Sequence, residues 1–155
     1  MTYLSWYEEH AAKHKAIMAK LLAKKMSRDE IIAYFDFENM VTHEPDFCPL
    51  YREKNDDGVA GKKCHDMERL NCYLCACPHF RFSDKGIEKK GEKTVYSLCS
   101  INSKEGVQGI YGDAIHQDCS NCSVPHHVSY IKKHYDEDWK KIMNKSKTKP
   151  AVTNS

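Results

Sequence analysis

The run Asn71-Cys72-Tyr73-Leu74-Cys75-Ala76-Cys77-Pro78-His79 decides how the rest of this chain is read. It packs three thiols into a stretch too short for them to bridge one another easily, and a Cys-x-x-Cys step turns the backbone so that both sulfurs face one point. A second pair, Cys119-Ser120-Asn121-Cys122, is followed by His126 and His127, while Cys48, Cys64-His65 and Cys99 lie outside the two pairs. All eight cysteines of the chain therefore fall between Cys48 and Cys122. Two explanations compete for such a density, a disulfide framework and a set of thiolates that holds metal. The N-terminal run Met-Thr-Tyr-Leu-Ser-Trp-Tyr-Glu-Glu-His has no basic region, apolar core or small-residue cleavage site of a secretory signal. The expectation is a cytoplasmic protein in which the thiols serve a metal.

The 155 residues suit one domain, by the usual scale of roughly 100–200 residues each. Hydrophobic residues make up 41% and charged residues 30%, which fits neither a membrane protein nor a disordered chain. No run nears the roughly 18 consecutive apolar residues of a membrane span. A formal charge of +2, from 24 Lys+Arg against 22 Asp+Glu, gives no reason to expect nucleic acid as a partner.

The first 45 residues read as helical. Leu4, Tyr7, Ala11, His14, Met18 and Leu21 recur at three- and four-residue steps. Ser27-Arg28-Asp29-Glu30 has the form of a capping box, which predicts a second helix from about Arg28 to Asn39 burying Ile31, Ile32, Phe35 and Phe37. Residues 46–145 form the cysteine-rich domain. Within it, Thr94–Leu98 and His79–Phe82 alternate as short strands do, and Gly106, Gly109 and Gly112 mark loop. The segment has few aliphatic residues, so a metal is expected to supply what a core normally does. A last helix is expected from Pro125, capped by Ser123, with Val128, Ile131, Tyr135, Trp139 and Ile142 on one face and Lys140, Lys141 and Lys145 at its C-terminal end. Residues 146–155 read as a flexible tail. The fold class is thus α+β: a small, irregular, metal-stabilised core with short strands, flanked by N-terminal helices and a C-terminal helix.

Two Cys-x-x-Cys pairs can complete one four-thiolate tetrahedron. Cys48, Cys64, Cys77 and Cys99 then remain, with His65, His79, His116, His126 and His127 as alternates, enough for a second site. Sequence order leaves consecutive and interleaved pairing equally open. His126 opens a helix just after a thiol pair and suits a ligand or a supporting role. His127 leaves that helix about 100° away, so one of the two faces solvent. His65 is a weaker candidate because adjacent side chains usually diverge, and Cys48 belongs to either site or to none. His10, His14, His43 and His134 read as packing or surface histidines.

The run from Cys64-His65 through Asn71–Pro78 and Cys99 to Asp118-Cys119-Ser120-Asn121-Cys122-x-x-Pro125-His126 resembles the cysteine-rich small domain family, described as zinc-finger-like and metal-binding, with no defined activity. The resemblance covers about half the chain. It implies ligands at Cys64, Cys72, Cys75, Cys77, Cys99, Cys119, Cys122 and His126, with Cys48 and His65 as further candidates. The N-terminal helical segment and the long stretches from Cys77 to Cys99 and from Cys99 to Cys119 depart from the compact form of the family.

Thiolate-rich sites take zinc or iron–sulfur clusters. Paired Cys-x-x-Cys blocks with histidines nearby favour one or two zinc ions. The Cys72-x-x-Cys75-x-Cys77-Pro78 grip keeps a 4Fe-4S cluster as the alternative, although its one-residue gap is not the common ferredoxin spacing. The function expected is a structural or protein-interaction module, with a redox or electron-transfer protein second. The aromatics Tyr3, Trp6 and Tyr7 and the helix ending at Met143 are candidate partner surfaces, with core packing as their plainer explanation. An enzyme comes last: His-Glu-x-x-His and the deaminase pattern are both missing. The sequence assigns no oligomeric state.

Overall fold

A computed structural model describes residues 2–75, 77–82, 84–85, 89–101 and 104–144. The expected tail, Lys145 and the turn residue Gly86 lie outside them. The architecture is α+β; among the described residues, five helices and two short 3-10 turns surround two small sheets.

Helix α1 runs from Tyr3 to Ala23 and starts at a capping box formed by Thr2 and Ser5. It buries Tyr7, His10, Ala11, His14, Ile17, Met18 and Leu21. That is the predicted stripe, widened by His10 and Ile17 and shortened at one end, because Leu4 is 46% exposed. The Ser27–Glu30 capping box is present and opens α2 (Arg28–Tyr34). The helix does not reach Asn39. It stops at Phe35, and α3 (Phe37–His43) begins after Asp36. The reason lies in the cysteine loop. The Phe35 carbonyl accepts from Cys72 N–H (2.9 Å), the Phe37 N–H donates to the Leu70 carbonyl (2.9 Å), and the Asp36 carboxylate accepts from Asn71 (3.0 Å). Backbone groups that would have continued the helix are spent on residues 70–72 instead.

Strands β1 (Phe80–Phe82) and β4 (Ser97–Cys99) pair antiparallel, with Phe80 opposite Cys99. The other sheet has the order β2 (Lys89–Lys90), β3 (Lys93–Val95), β6 (Ala114–Asp118), β5 (Val107–Tyr111). The strand expected near His79–Phe82 is present as β1, but the one expected over Thr94–Leu98 is divided at Tyr96 into β3 and β4, which lie in different sheets. The loop expected around Gly106, Gly109 and Gly112 is largely the β5–β6 hairpin. Its glycines have specific jobs. A Cβ on Gly109 would sit 2.8 Å from the Tyr111 ring, and Gly112 turns the hairpin at φ +62°. Glycine inside a strand marks close approach as often as a loop.

The expected last helix is broken in two. Val124–His126 is a 3-10 turn in which Ser123 makes no side-chain cap, followed by α4 (Val128–His134) and α5 (Trp139–Met143). Tyr135 is extended between them. The Asp136 carbonyl there accepts from the Tyr73 hydroxyl (2.6 Å), and Asp138 caps α5 through Lys140 N–H (3.0 Å).

One hydrophobic core joins all of the helices to the cysteine loop, from Tyr7 and Phe35 through Leu70, Tyr73 and Leu74 to Ile131, Trp139 and Met143. The candidate partner surfaces are therefore mostly interior: Tyr7 and Met143 are buried, and Tyr3 and Trp6 pack against this core. The four-stranded sheet buries Val95 and Ile115, but neither belongs to the core cluster. That sheet lacks an apolar centre of its own. Among the described residues, no helix is long and apolar enough to cross a membrane.

Candidate metal centre

Strand register brings four distant thiols to one end of the sheets. Strands β3 and β6 run parallel, with Thr94 level with Ala114 and Val95 level with Ile115. The same offset of 20 residues continues where Gln117 N–H donates to Ser97 Oγ (2.7 Å), which brings the end of β4 beside the end of β6 and Cys99 near Cys119. Cys122 joins them through a tight turn, its N–H donating to the Cys119 carbonyl (3.0 Å). Cys77 arrives from the start of β1, where Phe80 is opposite Cys99 and Phe80 N–H donates to the Cys77 carbonyl (3.1 Å). Cys77 itself has φ +57°, a left-handed conformation that costs a side-chain-bearing residue energy. Cys77, Cys99, Cys119 and Cys122 thus converge.

Their electrostatics agree. Burial first, then the neighbouring Cys77, Cys122 and Cys99, push the Cys119 thiol up to about 12. Cys77 is raised to about 11, chiefly by burial, with Cys99 and Cys122 adding to it. Thiols so shifted are protonated and poorly nucleophilic, which speaks against a thiol–disulfide catalyst. A thiol of this kind can serve as a metal ligand once a metal displaces its proton.

A second group stands beside the first. Cys64 Sγ lies 3.0 Å from His65 Nδ1 and 3.7 Å from His126 Nε2. Among the described residues, these three form the one set of three or more Cys, His or acidic donors whose ligand atoms all lie within 4.8 Å of one another. The far nitrogens fix the tautomers. His65 Nε2 sits 3.0 Å from the Cys119 carbonyl and His126 Nδ1 sits 2.9 Å from the Asn71 carbonyl. A carbonyl only accepts, so each of those nitrogens carries the ring proton. In the neutral tautomer so fixed, the nitrogens facing Cys64 are bare, the form in which imidazole binds metal. Burial holds His126 at about 4, partly opposed by the hydrogen bond it donates to the Asn71 carbonyl, so it stays neutral.

His65 was the weaker candidate in the sequence because adjacent side chains usually diverge, but here it turns back onto Cys64. His126 is buried and His127 exposed, the division expected of that pair. Cys72 is buried in the apolar core, where burial raises its thiol to about 12. Cys75 follows it through a turn, with Cys75 N–H on the Cys72 carbonyl (3.4 Å), and is half-buried. Cys48 packs at the edge of the core cluster. None of the eight cysteines is joined in a disulfide.

Both groups line one cavity of about 890 Å³, which contains Cys64, Cys75, Cys77, Cys99, Cys119 and Cys122 but neither Cys48 nor Cys72. Sequence reasoning missed the opposite wall, made by Tyr3, Trp6 and Tyr7 of α1 with Phe80 and Phe82 of β1. The Tyr3 hydroxyl is anchored there, 2.6 Å from His116 Nδ1 and 3.0 Å from Ser97 Oγ. Asp84 ties down the start of α1, accepting from Tyr3 N–H (3.0 Å) and Leu4 N–H (2.9 Å). No short-range signal links residues 3–7 to residues 80–122, so only the folded chain reveals this wall. In comparison with known proteins, no family model matches the chain, no curated protein matches it, and no solved structure matches it.

Proposed function

We propose that this is a metal-binding protein in which Cys77, Cys99, Cys119 and Cys122 form one centre and Cys64, His65 and His126 the other. The observation that carries this reading is the pair of imidazoles whose bare nitrogens face one thiol while their protonated nitrogens rest on backbone carbonyls. Metal-ligating histidines are oriented in just this way. Zinc is the first choice for both centres, since thiolate and neutral imidazole are its preferred ligands. The likeness to the cysteine-rich small domain family rests on the cysteine spacing and points the same way.

The role of the four-thiol centre is structural. It pins β4, β6 and the Cys119–Cys122 turn to the start of β1, where the sheet has little apolar core to do so. A structural zinc is worth about 10–16 kcal/mol in apparent terms, against roughly 5–15 kcal/mol for the stability of a whole domain. The protein then acts in a reducing, cytoplasmic setting as a metal-stabilised module, presenting its surface to another protein.

A 4Fe-4S cluster at the four-thiol end is the second reading, favoured by one observation. No three of those sulfurs lie within 4.8 Å of one another, whereas two sulfurs sharing one zinc at about 2.3 Å each are at most about 4.6 Å apart. A cluster interposes its own irons and sulfides and so takes thiolates more widely spread. Anaerobic purification with metal analysis and a visible spectrum separates the readings. Colourless protein with zinc at both centres supports the first. Brown protein with iron and acid-labile sulfide supports the second, and protein that retains no metal refutes both.

A further inference from the structure

We propose that the Cys64–His65–His126 centre keeps one coordination position open to the cavity, and that this position takes a neutral, flat nitrogen heteroaromatic molecule. The inference rests on the metal reading above and specifies what one of its two centres does.

Three observations carry it. First, among the described residues three donors converge within 4.8 Å of one another and no fourth joins them at that spacing. Closed structural zinc sites use four protein ligands, whereas sites that exchange ligands use three and leave the fourth position to a small molecule. Second, Cys64, His65 and His126 all line the cavity, with Cys64 exposed and His126 buried, so a small molecule entering the cavity reaches the missing position. Third, that space is far too large for ions alone. A water's share of liquid volume is roughly 30 Å³, so two ions leave most of the 890 Å³ unfilled. What remains lies within the range of about 300–1,000 Å³ typical of small-molecule sites.

The walls define the occupant. Tyr3 and Phe82 stack with ring centroids 5.5 Å apart, Phe80 is also 5.5 Å from Tyr3, and Trp6 completes the apolar side. Among the described residues lining the cavity none is Lys or Arg, and the one carboxylate, Asp84, is occupied by the N–H groups of α1. No lysine or arginine is positioned to receive a phosphate, a sulfonate or a carboxylate, and four thiolates around one zinc carry a net charge of −2 beside the site, which disfavours anionic ligands there. A flat aromatic body suits the rings. A ring nitrogen with a lone pair suits an ion already held by imidazole.

Cys75 is the competing explanation, since it lines the same cavity and could close the site as a fourth protein ligand. The experiment uses the full chain with cobalt(II) in place of zinc, because cobalt reports changes in its ligands through its visible bands. The probes are benzimidazole, imidazole and benzoate. The expected result is that benzimidazole shifts the cobalt bands and half-saturates at a concentration at least about tenfold below imidazole, as burial of the extra apolar ring atoms predicts. Benzoate should produce no shift. Phe80→Ala should bring the two azoles to within about threefold of each other while cobalt remains bound. Bands that ignore both azoles in the wild-type protein but respond in Cys75→Ser would show that Cys75 closes the site, and would overturn the proposal. Equal affinity for benzoate would overturn the ligand class. Failure to take up cobalt would instead refute the metal reading itself.

Discussion

Asn71→Ala tests how the helical core and the metal-bearing loop are joined. The Asn71 side chain is fully buried and makes three hydrogen bonds. It donates to the Ile32 carbonyl (2.7 Å) and to Asp36 Oδ1 (3.0 Å), and it accepts from Tyr73 N–H (2.9 Å). Its backbone pairs twice with His126, through Asn71 N–H on the His126 carbonyl (3.1 Å) and His126 Nδ1–H on the Asn71 carbonyl (2.9 Å). Truncation leaves Asp36 with Arg69 (3.1 Å) and the Ile32 carbonyl with Phe35 N–H (3.0 Å), so neither is stranded. The Tyr73 N–H is left buried and alone, a loss of about 1–3 kcal/mol. Two further hydrogen bonds disappear, at about 0.5–1.5 kcal/mol each. The sum is about 4 kcal/mol, which for a chain of this length corresponds to a fall in Tm of about 8–16 °C. Thermal melts followed by circular dichroism, on wild-type and variant protein with matched metal content, measure it directly. A fall of less than about 3 °C would refute the role given to this side chain. A chelator should also strip zinc from the variant faster, because His126 hangs on the same residue.

Three more outcomes are expected. Burial holds His10 at about 3 and His14 at about 4, with the charge of His14 also lowering His10. Unfolded histidine titrates near 6.5, so below that pH the unfolded chain binds protons that the native one refuses, and stability rises with pH between about 4 and 6.5. These two groups contribute a slope of up to about 2.7 kcal/mol per pH unit, and His10→Phe should remove about 1.4 kcal/mol per pH unit from the total in melts taken from pH 4.5 to 7; an unchanged slope would contradict this account. Cys119→Ser should lose the metal of the four-thiol centre by elemental analysis, while Cys48→Ser, off the cavity, should retain full metal content. Ser27→Ala removes the cap on Glu30 N–H (3.2 Å) and should lower stability by about 1 kcal/mol in urea titrations.

What was legible in the sequence follows the range of the forces involved. Ser27 and Glu30 signal a helix start because both halves of the capping box lie within one turn, and the structure has it as read. The apolar stripe of α1 was legible for the same reason, except at Leu4, where the neighbouring chain does not cover the helix. The break at Asp36 was not, because its cause is a carboxylate held by Asn71 and Arg69 from another part of the chain. Nor was the hairpin, since Gly109 is required by the Tyr111 ring and not by a loop. The cysteines could be recognised as a set, but their grouping depends on the register between β3 and β6. A shift of one residue in that pairing would separate Cys99 from Cys119, and local sequence carries no record of it.

The packing of α1 against α5 has a consequence for synthesis. Lys140 pairs with Glu8 (2.6 Å) across 132 residues of chain, and Tyr7 and His10 lie against the Trp139 ring at 5.1 and 5.0 Å. At about 5–20 residues per second, a ribosome needs roughly 7–26 s to make the stretch between them. For that time the first helix is outside the ribosome without the ring that covers it, and two histidines later held neutral in the core remain in water. The nascent chain therefore passes through an interval in which its amphipathic first helix is available to chaperones, and completion of the core waits for the last helix to emerge.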